Sequence, residues 1–352
     1  MNTFYKYFIL FISLFSIIAC NHNMKIEDYK TKEFNISIDD INYKFERKLL
    51  ETIQAIDSID EFSTITAFQS NYPLKDTLIG TSVNSSNIIF FDENLSEIQN
   101  LNVNGLGPEE FLNPYCSIVS MDSLIFSDAG QNSIKTFNYA TKKVNTILSG
   151  IDFFSFGHYA NAFIYLPNTP SEKSIDKLVF KKKYFDSNKT ETIDLSERSN
   201  LEQNDFMSFA YQGEFRQNQD YVSYFGWYTS EIFIFNNRLD YHKTLKTIYD
   251  VKQPKPLKQK VGNYQALNIN REKMINLDMS IDDKNNIFIL SNMGKNDFFY
   301  IDCYNLDKNK SYLGSFGIKS YKNQKPTTIF RYDDRLVVLY EDFAFKIFKI
   351  KL

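Results

Sequence analysis

The 352-residue sequence predicts an all-β fold of six repeated sheets, each of four antiparallel strands, arranged in a ring. Three observations predict it. The chain carries 33 Phe and 23 Tyr against 12 Gly and 8 Pro, a composition suited to pleated, half-buried strands. A short strand-like run ending in an aromatic and then a turn residue recurs through the chain. Each recurrence follows a second strand-like run, with no helical periodicity between the two.

In order, the repeated run is "IIFFD" at Phe91, "IKTFN" at Phe137, "KKYFD" at Phe185, "IFIFN" at Phe235, "IDCYN" at Tyr304 and "FKIFK" at Phe348. These aromatics lie 46, 48, 50, 69 and 44 residues apart. The preceding runs begin at Leu78, Leu124, Phe163, Tyr221, Ile287 and Leu336, and polar turns lead to further runs such as "SEIQNLNV" and "KKVNTIL". A period in the forties built from four short strands describes a propeller blade, and radial repetition protects sheet edges. The expected architecture is a six-bladed β-propeller over residues 33–352. The long interval is explained by an insertion, Val251 to Lys273, expected as a loop. Its Lys252, Lys255, Lys258 and Lys260 offer a basic lip to an anionic partner, or simply stay solvated.

The sixth repeat ends after its third strand, which leaves a sheet edge to be paired. The run "EFNISI", residues 33–38, is the expected donor, so that an N-terminal strand closes the ring. Between this donor and the first blade, Ile41, Phe45, Leu49, Ile53 and Ile56 fit either one face of a short amphipathic helix or an irregular strand pair.

The opening "MNTFYKYFILFISLFSIIAC" has one early cation, Lys6, and an apolar run from Phe8 to Ala19 too short to span a bilayer comfortably. It reads as a signal peptide over residues 1–19. "IIAC", Ile17 to Cys20, resembles the lipobox of bacterial lipoproteins, with Ile17 where Leu is usual. The resemblance implies cleavage before Cys20, a diacylated thiol and an acylated amino terminus. Several acyl chains, at about 0.8 kcal/mol per buried CH₂, anchor a protein stably. Residues 20–32 would then be a tether. Asn21 after the cysteine, rather than Asp, points by the same resemblance to the outer membrane, facing the periplasm or the exterior. Cys116 and Cys303 lie far apart in strand-like runs and are expected as buried free thiols. A net charge of −3 provides no electrostatic footprint for nucleic acid.

One segment carries more than periodicity: "GLGPEEFLNPYCSIVSMDSLIFSDAGQNSIKTFN", Gly105 to Asn138. It resembles the blade pattern of NHL-type and TolB-like six-bladed propellers at Gly105, Gly107, Phe111, Pro114, Asp122 and Asp128. "GLGPEEF" further resembles the Gly-x-Gly-Pro-x-Glu-Phe signature of lipid-anchored six-bladed propeller proteins of some Gram-negative bacteria. Gly105 and Gly107 suit a tight linker between blades, and Pro108 fixes its exit direction. The resemblance implies a fold and a cell-envelope location more than an activity.

Residues able to do chemistry are few. Histidine occurs at 22, 158 and 242, with no His-Glu-x-x-His and no Gly-x-Ser-x-Gly. Some propellers resembling this one, the streptogramin lyases, work with a channel histidine and a bound metal. By that resemblance His158 is the one candidate, against the reading of an ordinary loop histidine. Glu109 and Glu110, in the linker between the first two blades, would bind a cation or basic partner, or form a solvated turn. Trp227, within "YFGWYTSEIF", would stack on sugars or peptide side chains if exposed and belongs to the core if buried. Asp282-Asp283 and Asp333-Asp334 sit before strands, where Asp bonds nearby amides. The expected function is that of a non-catalytic envelope lipoprotein whose propeller binds a protein or glycan, with no cofactor or metal and with lipid on Cys20. The alternatives are a channel-mouth lyase or hydrolase and a structural subunit of an envelope complex.

Overall fold

The computed structural model describes residues 42–43, 47–59, 67–69, 78–82, 86–92, 96–119, 122–168, 177–187, 189–199, 210–250, 257–261, 264–268, 274–295, 297–308, 311–332, 334–341 and 344–352. Cys20, the leader, the tether and residues 33–38 lie outside them.

Three N-terminal strands come first: β1 (Asn42–Tyr43), β2 (Leu49–Thr52) and β3 (Ala55–Ile59). Blade 1 is β4 (Ala67–Gln69), β5 (Leu78–Ser82), β6 (Asn87–Phe91) and β7 (Glu97–Leu101). Blade 2 is β8 (Pro114–Val119), β9 (Ser123–Asp128), β10 (Ser133–Asn138) and β11 (Val144–Ser149). Blade 3 is β12 (Phe153–Tyr159), β13 (Ala162–Pro167), β14 (Val179–Tyr184) and β15 (Thr190–Asp194). Blade 4 is β16 (Gly213–Gln217), β17 (Tyr221–Gly226), β18 (Glu231–Asn236) and β19 (Tyr241–Lys246). The short β20 (Tyr249–Asp250) and the pair β21 (Leu257–Val261) and β22 (Tyr264–Asn268) follow. Blade 5 begins β23 (Asn276–Ile281), β24 (Asn286–Lys295), β25 (Phe298–Asn305) and β26 (Tyr312–Lys319), and blade 6 begins β27 (Pro326–Tyr332), β28 (Arg335–Tyr340) and β29 (Phe345–Lys349).

The strands that follow one another within a blade form an antiparallel meander, and the first strand of each blade packs on the first strand of the next. β27 returns to β4, so the six inner strands close a ring around an axis. The six repeated runs form or end the third strand of every blade, and the runs before them form the second. The motif has a physical cause. The aromatic is buried between blades at Phe91, Phe137, Phe235, Tyr304 and Phe348. The turn residue behind it accepts backbone N–H bonds that start the descent to the fourth strand: Asn138 Oδ1 from Ala140 and Thr141 at 3.1 and 2.9 Å, Asn236 Oδ1 from Arg238 at 2.8 Å, and Asn305 Oδ1 from Asp307 at 3.0 Å.

Strand alternation distributes the core among the blades. In β9, Leu124 and Phe126 pack with Ile79, Ile88 and Phe90 of blade 1, whereas Ile125 between them packs with Phe156 and Phe163 of blade 3. Both faces are buried, so the strands read as continuous apolar runs and not as alternating ones. Cys303 is a buried free thiol in the core between blades 5 and 6.

Closure occurs at a different place from the one expected. β3, residues 55–59, pairs antiparallel with β29 and forms the fourth strand of blade 6. The position assigned to residues 33–38 is thus taken by "AIDSI". β2 runs parallel to β26 and adds a fifth strand to blade 5, so not every blade is four-stranded and antiparallel. The helical reading of this segment gives way to strands. Its described apolar residues do not share a face: Ile53 is 5% exposed among Phe316, Ile318 and Phe348, whereas Leu49 and Ile56 are 51% and 60% exposed. The insertion at 251–273 is likewise more than a loop, since β21 and β22 form a hairpin in register from Leu257↔Asn268 to Val261↔Tyr264.

Candidate functional site

The inner strands of a propeller expose one backbone edge toward the axis, and its amides need partners. Side chains of neighbouring blades supply them. Ser155 Oγ on β12 accepts from Phe215 N at 2.9 Å, Gln217 Oε1 on β16 accepts from His158 N at 2.9 Å, and Ser280 Oγ on β23 accepts from Arg331 N at 2.9 Å. Asp278 Oδ2 accepts from Ile329 N at 2.9 Å.

Within this ring of ties lies a charged cluster. Arg216 Nη2 is 2.5 Å from Asp278 Oδ1 and 2.7 Å from Glu214 Oε2. Tyr115 Oη, on blade 2, donates to Glu214 Oε1 at 2.8 Å. The chain Tyr115–Glu214–Arg216–Asp278 therefore joins blades 2, 4 and 5, and through Ile329 N it reaches blade 6. Glu214, Arg216 and Asp278 are buried. Burial raises the Asp278 carboxyl to about 6, opposed by the Arg216 guanidinium and helped by Glu214. None of these residues was singled out by sequence. "GEFRQ" and "NLDMSI" do carry a signal, namely charges at positions whose neighbours place them inside a buried strand.

The residues that sequence did single out are held apart. His158, on β12, stacks on Phe185 with ring centroids 5.3 Å apart. Burial lowers its imidazole to about 4, with a backbone hydrogen bond at Ala160 opposing. Trp227, half-buried in the β17–β18 turn, donates its backbone N–H to Gln212 O at 2.8 Å and accepts at its carbonyl from Ile275 at 2.7 Å. Its neighbours Tyr224, Phe225 and Tyr228 are core. Asn276 Nδ2 fixes that turn by donating to Gly226 O and Thr229 O at 2.8 and 2.9 Å.

The "GLGPEEF" segment is a braced turn. Glu110 Oε2 accepts from Gly107 N at 2.7 Å, and a Cβ on Gly105 would lie 1.9 Å from that same oxygen. Glu109 is exposed. Gln131 Nε2 donates to Gly105 O and Glu110 O, and Thr146 Oγ1 donates to Pro108 O at 3.1 Å. Lys135 is fully buried beneath the turn and donates to Gln131 Oε1 and Thr146 Oγ1 at 3.2 and 3.0 Å. Burial lowers its ammonium pKa, with Asp128 and Glu110 opposing. Phe111 is buried edge-on to Phe126, and Pro114 opens β8 opposite Asp128. Asp128 accepts from the amides of Asn113 and Gly130 at 3.0 and 3.1 Å, while Asp122 accepts Tyr139 N at its carbonyl and Ser123 Oγ at its carboxylate. Of the basic residues in the insertion, Lys258 and Lys260 lie on β21, and Lys252 and Lys255 fall outside the described residues.

Among the described residues, no three His, Cys, Asp or Glu side chains converge to hold a metal, and no helix is long and apolar enough to cross a membrane. No family model and no curated protein matches the sequence. Among solved structures the chain is similar to a member of the DUF4221 family from Bacteroides vulgatus, at 11% identity over 88% of this chain and 98% of that one, with a TM-score of 0.57. It is also similar to the β-propeller domain of Cps50 (Swd1) from Myceliophteria thermophila, at 9% identity over 85% and 100%, with a TM-score of 0.49. At 11% identity, the likeness to the Bacteroides vulgatus protein establishes the fold alone.

Proposed function

We propose that the chain is a lipid-anchored cell-envelope propeller that binds a protein or glycan partner and does no chemistry of its own. The observation that carries this reading is the axial cluster. Arg216 is bonded to Asp278 and Glu214, Glu214 to Tyr115, and Asp278 to the edge of β27, so the charges at the axis serve as ties between blades. A catalytic constellation instead needs a group free to exchange a proton with a substrate. His158, the sequence candidate for that role, is stacked and held neutral at pH 7. The Cys20 lipobox supports the anchor, and a closed ring of sheets with turns at its faces suits presentation of a binding face.

The test is recovery of partners from mildly crosslinked native envelopes with the tagged full chain, beside a Cys20→Ala form and a His158→Ala form, with total metal measured on each. The expected result is a stoichiometric envelope partner that is lost with Cys20→Ala and kept with His158→Ala. Bound metal that vanishes in His158→Ala, with no partner recovered, would overturn the reading in favour of a channel enzyme.

A further inference from the structure

A groove of about 550 Å³ opens where the ring is closed, between β2, blade 5 and the end of β29. Its floor is apolar: Leu50 and Leu313 are half-buried on the core cluster of blades 5 and 6, beside the fully packed Phe316. Three lysines stand over that floor. Lys284 comes from the β23–β24 turn, Lys308 from the β25–β26 turn and Lys351 from beyond β29. All three are exposed, and among the described residues none of the three ammonium groups makes an ion pair.

The other polar side chains of the groove differ in kind. Asn286 and Asn305 are committed to the turns: Asn305 Nδ2 donates to Lys284 O at 3.1 Å and to Asn286 Oδ1 at 2.8 Å, and Asn286 Nδ2 donates to Asp282 Oδ2 at 2.9 Å. They shape the rim and fix where Lys284 starts. Glu51 is the single acidic side chain in the lining, beside Leu352, so cationic side chains outnumber anionic ones there although the whole chain is net negative.

We infer that this groove binds a single-chain anionic amphiphile of the fatty carboxylate class, with the head group among Lys284, Lys308 and Lys351 and the chain on Leu50, Leu313 and Phe316. The volume lies in the range of small-molecule sites and is far too small for a protein domain. Charge complementarity selects an anion, and a lysine beside an apolar floor can lay its stem along it while its ammonium group stays at the edge. This inference rests neither on the lipid anchor nor on the envelope partner proposed above.

A diazirine-bearing decanoate, photolysed with the full chain in phosphatidylcholine nanodiscs and mapped by mass spectrometry, tests it. Labelling is expected to saturate, to fall on peptides containing Leu50–Glu51 and Leu313–Phe316, and to be displaced by decanoate at least tenfold better than by decanol. A Lys284→Ala, Lys308→Ala, Lys351→Ala variant, with a wild-type melting curve, is expected to lose at least tenfold in labelling. Labelling spread over other peptides, equal displacement by decanol, or no loss in the triple variant would each overturn the inference. So would equal displacement by phosphatidylglycerol in the disc, which would make the ligand a bilayer head group.

Discussion

Arg216 holds two carboxylates at once, at 2.5 and 2.7 Å, in a place closed to water. An ion pair of this kind adds little over an apolar substitute, but removing one member leaves a buried charge unpaired. Arg216→Ala is therefore expected to lower unfolding stability by about 3–5 kcal/mol. Arg216→Met combined with Asp278→Asn and Glu214→Gln should recover a large part of that loss. Urea titration of the two proteins decides the matter, and equal midpoints would show that the cluster is not a unit. This cluster also marks a limit of sequence reading. A charge inside an apolar run is visible in "NLDMSI", but Arg216, Glu214 and Tyr115 are brought to Asp278 only by ring geometry. The motif residues Glu110, Asp128 and Asn138 were easier, because each bonds to amides within about a turn of itself and local spacing carries that information.

At the scale of elements, the third strands were legible because one local rule, a buried aromatic followed by a side-chain acceptor, operates in blades 1, 2, 4 and 5. The N-terminal strands were not. β2 and β3 are recruited by edges that lie far away in sequence, and nothing local distinguishes residues 55–59 from 33–38 as the donor. For β2 the close approach is permitted by its acceptor strand β26: Gly314, at φ 145°, where an added Cβ would lie 2.5 Å from Leu50 Cγ and 3.0 Å from Lys48 O. Only glycine lets β2 approach β26 so closely. Gly314→Ala should displace β2, lower stability by about 1–3 kcal/mol and speed amide exchange at residues 49–52 while blades 2 and 3 keep wild-type exchange rates. Unchanged exchange at 49–52 would mean that the strand is held by other contacts. Arg47 is the other fastening of this segment, 3.3 Å from Asp302 and 3.6 Å above the Tyr300 ring.

At the scale of the molecule, blade 5 carries two buried carboxyls that respond to pH in the same direction. Burial raises Asp302 to about 6, opposed by Arg47, and Asp278 is raised likewise. Both lie above the ordinary Asp value, so between about pH 4 and 6 the native state binds protons that the unfolded chain has released. Stability then falls as pH rises through that window, and the full stabilisation is present only on its acid side. Moving from pH 7.5 to 5 should raise the thermal midpoint, and Asp302→Asn should flatten part of that rise. A midpoint that falls steadily from pH 7.5 to 5 would contradict the assignment. Further acidification works the other way, through carboxylates with lowered pKa such as Asp194, which Ser196 and Lys177 hold ionised against the opposing effect of burial.

The pairing of β3 with β29 has a consequence in time as well as in space. Residues 55–59 are made long before their partner at 345–349. Until then blade 6 lacks its outer strand, and its sheet waits with an open edge for one long-range contact. Pairings between segments this distant in sequence form slowly, because the entropy of closing so long a loop is lost before the contact repays it. The ring should therefore fold in a late, all-or-none step, and its assembly will be most vulnerable to self-association in the interval before the two ends of the chain meet.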